Sequence, residues 1–263
     1  MMNAALFSEQ SSAPDINSLV VSSSGQVWKL TTCFEPIWRM DGRLEALEIL
    51  SRPACGETGM PVKADIFFEQ ASLSVLLEVF RWQLAALKQI YAWCVCRGIT
   101  VSLNITRALA KSLLNEPALQ NAIRALAPRV RLEISEYFFP DGADPQRDWL
   151  LPVLRELAPL WLDDYGAGNT ACSWLVSGVF EFVKVDRHFI QALVKHPEGG
   201  RVLKKICTLS AEAGGRVIAE GVCSEALHAF ACNNGVAACQ GWLWPGVTAE
   251  RLGTLPTHLS VPE

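Results

Sequence analysis

Short β-favouring runs alternate with longer helical stretches along most of the chain, and that order narrows the fold more than any single motif. Such alternation builds a parallel sheet covered by its crossover helices. Val27 to Arg39 is rich in β-formers and closes on Asp41-Gly42, a hairpin-like opening. Leu44 to Ser51 alternates imperfectly and carries Glu48 either to an interior face or to an edge. Apolar residues recur at helical spacing from Ser72 to Arg97, and Gly98 supplies the stop. Ile99, Val101, Leu103 and Ile105 alternate as a strand, with Asn104 on the opposite face as an amide ligand or a turn former. A helical region from Ala108 to Leu126, interrupted near Pro117, leads to the strand Val130 to Ile134. A helix around Trp149 to Leu157 precedes the next strand, and Trp174 and Leu175 start a short apolar turn. Phe180 to Asp186 reads as a strand, Arg201 to Ala213 as a helix ending at Gly214-Gly215, and Val217 to Ala219 as a strand ending at Glu220. Glu225 to Cys232 is a shorter helix, and Ala237 to Cys239 runs into Gln240-Gly241.

The polar residues at the strand ends carry the chemistry. Pro159 to Cys172 reads PLWLDDYGAGNTAC, an apolar run ending in two carboxylates and a glycine turn. On a strand, Asp163 and Asp164 point to opposite faces, so they serve two cations, or one cation and a hydrogen-bond network, or simply make an acidic turn. Lys184 between Val183 and Val185 has no place on a buried strand unless it pairs with carboxylates. Asn104, Glu133, Asp163, Asp164, Lys184, Glu220 and Gln240 all fall at or near carboxyl ends of strands. In a (β/α)8 barrel those ends meet on one rim, where active sites are built. Carboxylates with an amide oxygen are hard donors suited to Mg²⁺ or Mn²⁺. On this evidence, proton abstraction by a lysine beside a cation competes with cation-assisted hydrolysis.

A chain of 263 residues that is 50% hydrophobic and 19% charged can bury one large core, so a single domain is expected. A formal net charge of -4 without a Lys or Arg cluster argues against binding of a DNA or RNA duplex. Nine cysteines without a CxxC pair fit free thiols in a reducing cytoplasm, and four scattered histidines make a His-rich metal site a poor fit. The first 25 residues hold seven serines and no Lys or Arg, which reads as a loose tail. The best apolar run, Leu84 to Cys96, is short and contains Lys88, so no membrane segment is expected. The organisation expected is a tail over 1–25, one domain over 26–255 and a tail over 256–263.

From about Phe34 to Trp244 the chain resembles the EAL domains, bacterial cyclic di-GMP phosphodiesterases. FEPIW resembles the opening strand of that family, and EILSR at 48–52 stands in the place of Glu-Ala-Leu-Leu-Arg. The literal Glu-Ala-Leu at 45–47 is out of register with it. SLNIT, LEISE, FVKVDRHFI, VIAEGV and QGWLW resemble later family segments in order, and DDYGAGNTACSWL is similar to DDFGTGYSSLSYL.

The resemblance implies a TIM-like barrel with one antiparallel strand. It implies two Mg²⁺ or Mn²⁺ ions held by Glu48, Asn104, Glu133, Asp163 and Asp164, clamping a phosphodiester and activating a water for in-line attack. It further implies that Arg52, Asp186 and Gln240 contact substrate, that Lys184, Glu220 and Asp164 serve catalysis, and that Glu136 braces the loop after Asp164. The product is the linear pGpG, and the same loop couples the site to a homodimer interface. This sequence departs from the family at Glu35, Ile49, Ala167, Asn169 to Ala171, Cys223 and Pro245, and Pro53 to Glu69 is poor in the usual proline-centred loop. Two functions follow: an active phosphodiesterase, or a degenerate EAL domain that binds cyclic di-GMP or a protein without turnover.

Overall fold

A computed structural model describes residues 17–139, 144–168 and 172–259. Among the described residues nine strands form one sheet in sequence order, and the second strand also pairs with the ninth, so the sheet closes. The first strand, β1 (Ser18–Ser23), lies outside this closure and pairs antiparallel with β2 (Gln26–Arg39). It forms where the tail over 1–25 is expected, because Val21 is buried in a small cluster with Trp28, Leu30, Phe67 and Trp82. Residues 1–16 lie outside the described residues.

The barrel proper has eight strands. β2 runs antiparallel to both of its barrel neighbours, β3 (Leu44–Cys55) and β9 (Ala238–Cys239), and so supplies the antiparallel strand that the resemblance implies. Between β3 and β9 every neighbouring pair is parallel. After β3 come two helices, α1 (Ala64–Gln70) and α2 (Leu73–Arg97), the second capped by Ser72 and stopped by Gly98 at φ 71°. The strand β4 (Thr100–Asn104) then leads through the cap Thr106 into α3 (Arg107–Leu113), and α4 (Pro117–Ala125) restarts at Pro117. The strand β5 (Val130–Ser135) follows, then α5 (Leu150–Arg155), β6 (Leu160–Tyr165) and the short α6 (Cys172–Leu175). Next are β7 (Phe180–Val185), α7 (Arg187–Lys195), α8 (Gly199–Glu212), β8 (Arg216–Ala219) and α9 (Glu225–Asn233). The helices α1 and α7 go beyond the sequence reading. The second is anchored by Asp186, whose carboxylate accepts from His188 N at 2.8 Å and Phe189 N at 3.1 Å.

Two residues per repeat along each strand decide what the barrel encloses. Ile37, Ala46, Trp161, Phe182, Ile218 and Ala238 form one closed apolar cluster inside it. Two residues nearer the carboxyl rim, the same interior rows present Glu48, Asp163, Lys184, Glu220 and Gln240. On β2, which runs the other way, the equivalent step goes back from Ile37 to Glu35, directly opposite Glu48. The apolar layer is therefore the floor on which the polar layer rests. Outside the barrel, the main core packs the helices against outward-facing strand residues such as Leu47, Ile49, Leu103 and Leu132.

Candidate active site

Lys184 is the centre of the polar layer. It is 1% exposed, and its Nζ lies 3.0 Å from Glu48 Oε2, 3.0 Å from Glu133 Oε2, 2.9 Å from Asp163 Oδ1 and 2.8 Å from Glu220 Oε1. Four carboxylates around one ammonium leave an excess of negative charge in a dry place. Burial by itself would discharge the lysine, but Asp163, Glu133, Glu220 and Glu48 outweigh it and raise its pKa well above the ordinary range.

The carboxylates respond unequally. Burial also opposes the charge on Glu48, yet Lys184, Gln240 and Asn104 together hold its pKa below the usual value. Asn104 Nδ2 donates to its Oε1 at 2.8 Å and Gln240 Nε2 to its Oε2 at 2.7 Å. Glu133, wholly buried, is pushed well above the usual range by burial and then by the charge of Glu48. Glu220 is likewise raised well above it, chiefly by burial. Burial and then the adjacent Asp163 push Asp164 up to about 6.

The turn after β6 explains how both aspartates reach one site. Asp164 has φ 58°, and the β6–β7 register slips between Leu162 and Tyr165. Strict alternation, which puts Asp163 and Asp164 on opposite faces, is therefore broken at this point. Gly166 follows at φ 95°, packed so closely on Phe189 that an added Cβ would lie 2.2 Å from the ring. Its N–H donates to Glu136 Oε1 at 2.6 Å. The altered positions Asn169 to Ala171 lie outside the described residues.

Oxygens of Glu48, Glu133 and Asp163 lie within 4.8 Å of one another, as do those of Asp163, Asp164 and Glu220. Glu133 Oε1 is buried with no hydrogen-bond partner among the described residues. An unpaired carboxylate oxygen inside a ring of like charges fits a hard divalent cation.

Two cavities border this cluster and share Leu50 and Arg52 in their walls. One, of about 430 Å³, is polar and is lined by Glu35, Arg52, Asp186, His188 and Trp242 as well as cluster residues. The other, of about 360 Å³, is largely apolar and opens beside Asn104 and Glu133, with Phe68, Leu76, Phe80 and Phe138 in its wall. The structure thus brings together Glu48, Asn104, Glu133, Asp163, Asp164, Lys184, Glu220 and Gln240, and sets Arg52 and Asp186 at the cleft wall. Asp186 is also the α7 cap, so its Oδ1 is already engaged by two backbone N–H groups. Arg187, His188 and Trp242 are cleft residues that sequence reasoning passed over. They follow directly on the cap Asp186 and on Gln240-Gly241, which was the available signal. Gly221 keeps this wall tight, since its φ is 63° and a Cβ there would come 2.4 Å from Arg187 Cβ.

The EAL domain model matches residues 23–245. The chain belongs to the EAL domain family. PdeH, a cyclic di-GMP phosphodiesterase of Escherichia coli (strain K12), is 28% identical over 213 residues and covers 80% of each chain. The anti-FlhC(2)FlhD(4) factor YdiV of Salmonella paratyphi B is 24% identical over 233 residues, 89% of this chain and 98% of its own. Among solved structures, the EAL-like domain protein YdiV matches with a TM-score of 0.78 at 22% identity, over 89% of this chain and 97% of that one. The cyclic di-GMP complex of the PaMucR phosphodiesterase matches at 0.72 and 22%, over 85% and 94%. At such identities these structures bear on the fold alone. Their fold is the closed mixed barrel described above. Among the described residues no helix is long and apolar enough to cross a membrane, and all nine cysteines are free thiols.

Proposed function

We propose that this EAL domain is a divalent-cation-dependent phosphodiesterase that hydrolyses cyclic di-GMP to pGpG in the cytoplasm. The observation that carries the reading is the convergence of Glu48, Asn104, Glu133 and Asp163 on one rim, with Glu133 Oε1 left for a cation. The activity named for PdeH, at 28% identity over 80% of both chains, supports cyclic di-GMP as the substrate. Glu48, Asn104, Glu133 and Asp163 would hold one Mg²⁺ or Mn²⁺, and Asp163 and Asp164 a second, with Glu220 beside them. Such ions supply charge neutralisation at phosphorus and a lowered pKa for attacking water.

The chain's own groups do the rest. Lys184, anchored by four carboxylates, holds a fixed positive charge at the floor of the site, where it orients water and stabilises charge developing on the phosphate. Arg52 presents a planar fork at the cleft wall, suited to a phosphate oxygen. Glu136 holds the loop that sets Asp164, and that loop is also the proposed contact for a homodimer.

A second reading is a regulator that binds without turnover, supported by the match to YdiV at 24% identity over 89% of this chain. The name of YdiV, matched over 98% of its length, points to a protein partner for that case. Incubation of purified protein with cyclic di-GMP and Mg²⁺, then Mn²⁺, followed by chromatography, decides between them. Formation of pGpG that stops with EDTA is the result expected. Intact nucleotide in both metals overturns the enzyme reading in favour of the binder.

A further inference from the structure

Glu35 is a carboxylate at the cleft mouth to which the reading above gives no task. It stands on β2 directly opposite Glu48 of β3, and its two oxygens face different partners. Oε1 pairs with Arg52 Nη2, and Oε2 accepts from Gln240 Nε2 at 3.1 Å. The same Nε2 donates to Glu48 Oε2 at 2.7 Å. One chain of contacts therefore runs from Arg52 at the mouth, through Glu35 and Gln240, to Glu48 in the cation cluster.

Each link constrains the next. An amide has a donor end and an acceptor end, and two carboxylates against Nε2 settle which way Gln240 faces. Among the described residues its buried Oε1 makes no hydrogen bond, so this orientation is held through the donor end. Arg52 has five N–H donors and is about half exposed, with one donor engaged by Glu35. A long exposed side chain loses rotamer freedom when it grips an anion. An arginine already tethered loses less, and it keeps donors free for the anion. A glutamine at position 35 offers one acceptor oxygen in place of two and no charge, so it holds Arg52 and Gln240 less firmly.

We propose that Glu35 is a positioning residue for the nucleotide: through separate oxygens it presents Arg52 to a phosphate oxygen and keeps the donor end of Gln240 on Glu48. The inference rests on the cyclic di-GMP reading and adds a residue that sets substrate affinity. It acts through Arg52 and Gln240 and does not touch the reacting atoms.

The test is a double-mutant cycle with Glu35→Gln and Arg52→Ala, reading kcat and KM for cyclic di-GMP with Mn²⁺, with thermal midpoints recorded for all four proteins. Glu35→Gln is expected to raise KM about tenfold when Arg52 is present and less than about twofold when Arg52 is already alanine, with kcat changed less than KM. An equal effect in both backgrounds overturns the proposal. So does a fall in KM, which would make Glu35 a latch that keeps Arg52 from the phosphate. A readout independent of turnover is ¹⁵N NMR of the side chains. Slowed exchange of the Arg52 guanidinium protons and a single Gln240 amide environment are expected in the wild type and lost in Glu35→Gln. Unchanged signals overturn the positioning contacts whether or not nucleotide is hydrolysed. If the wild type makes no pGpG, the phosphodiesterase reading fails separately, and calorimetric affinities for cyclic di-GMP across the same four proteins decide the inference. Absence of nucleotide binding by the wild type overturns it.

Discussion

Glu45 and Glu48 sit three residues apart on one strand and face opposite ends of the barrel's chemistry. Glu45 pairs with Arg39 at 3.1 Å and Arg216 at 3.1 Å, both partly exposed, whereas Glu48 is buried and bonded to Asn104, Lys184 and Gln240. Glu48→Ala is therefore expected to reduce kcat for cyclic di-GMP by about a thousandfold or more, in line with loss of a group at the reacting centre. Glu45→Ala should leave kcat within about twofold and cost about 1–2 kcal/mol, since Glu45 is partly buried while both of its arginines reach solvent. Steady-state kinetics and urea unfolding of the two variants check both figures, and the reverse ranking would move the site to the other register. Lys184 allows a sharper separation of roles. Lys184→Met leaves four carboxylates without their counter-charge, a change that typically costs about 3–5 kcal/mol in a buried pair. With Mn²⁺ restoring the charge balance, the variant should fold and bind nucleotide while turning it over slowly. Normal turnover would remove Lys184 from the chemistry.

At the scale of elements, the end of β6 is where local geometry is most demanding. Gly166 combines φ 95° with a wall formed by Phe189, so Gly166→Ala must shift either α7 or the loop that carries Asp164. A loss of about 1–3 kcal/mol is expected by urea unfolding, together with weaker Mn²⁺ binding by calorimetry. Weakened stability with unaltered cation affinity would show that the strain is absorbed by α7 alone. The same element marks the limit of what could be read from the sequence. The strand and both aspartates were legible because an apolar run ends abruptly in charge. Their convergence was not, because it depends on a left-handed Asp164 and a register slip, and a residue other than glycine rarely signals positive φ. The helix α2 was legible to the residue at its stop, since periodicity, the Ser72 cap and Gly98 agree. The helices α1 and α7 were missed for opposite reasons: the first is a single short stretch behind a long strand, and the second hides its cap in Asp186, read as a substrate contact. The strand β1 was missed because three serines flank its few apolar residues, and only its pairing with β2 gives Val21 something to pack against. The polar layer was legible in part: Asp163, Lys184, Glu220 and Gln240 stand out as polar residues near strand ends, whereas the alternation around Glu48 allows an interior face or an edge, and only closure over Ala46, Trp161, Phe182, Ile218 and Ala238 makes these rows one layer.

For the molecule as a whole, the crowding of carboxylates ties stability, pH and cations into one linkage. Glu133, Glu220 and Asp164 are all raised above the ordinary carboxylate range, so the folded protein keeps protons that the unfolded chain has lost. Without added cations, their contribution to stability is therefore fully present below the unfolded values of about 4 and declines as pH rises through the folded ones, by about pH 6 for Asp164. A divalent cation reverses the sign, because it binds the deprotonated oxygens and must displace those protons. Mn²⁺ affinity is accordingly expected to rise with pH across the range around 6. Calorimetry near pH 6 in two buffers of different ionisation enthalpy should register proton release on binding. Thermal midpoints should follow the same rule, with EDTA lowering the midpoint more at pH 8 than at pH 5. A cation affinity independent of pH, with no protons released, would mean that the raised carboxylates do not hold the cation, and the cluster around Lys184 would then be a structural ion network at the floor of the barrel.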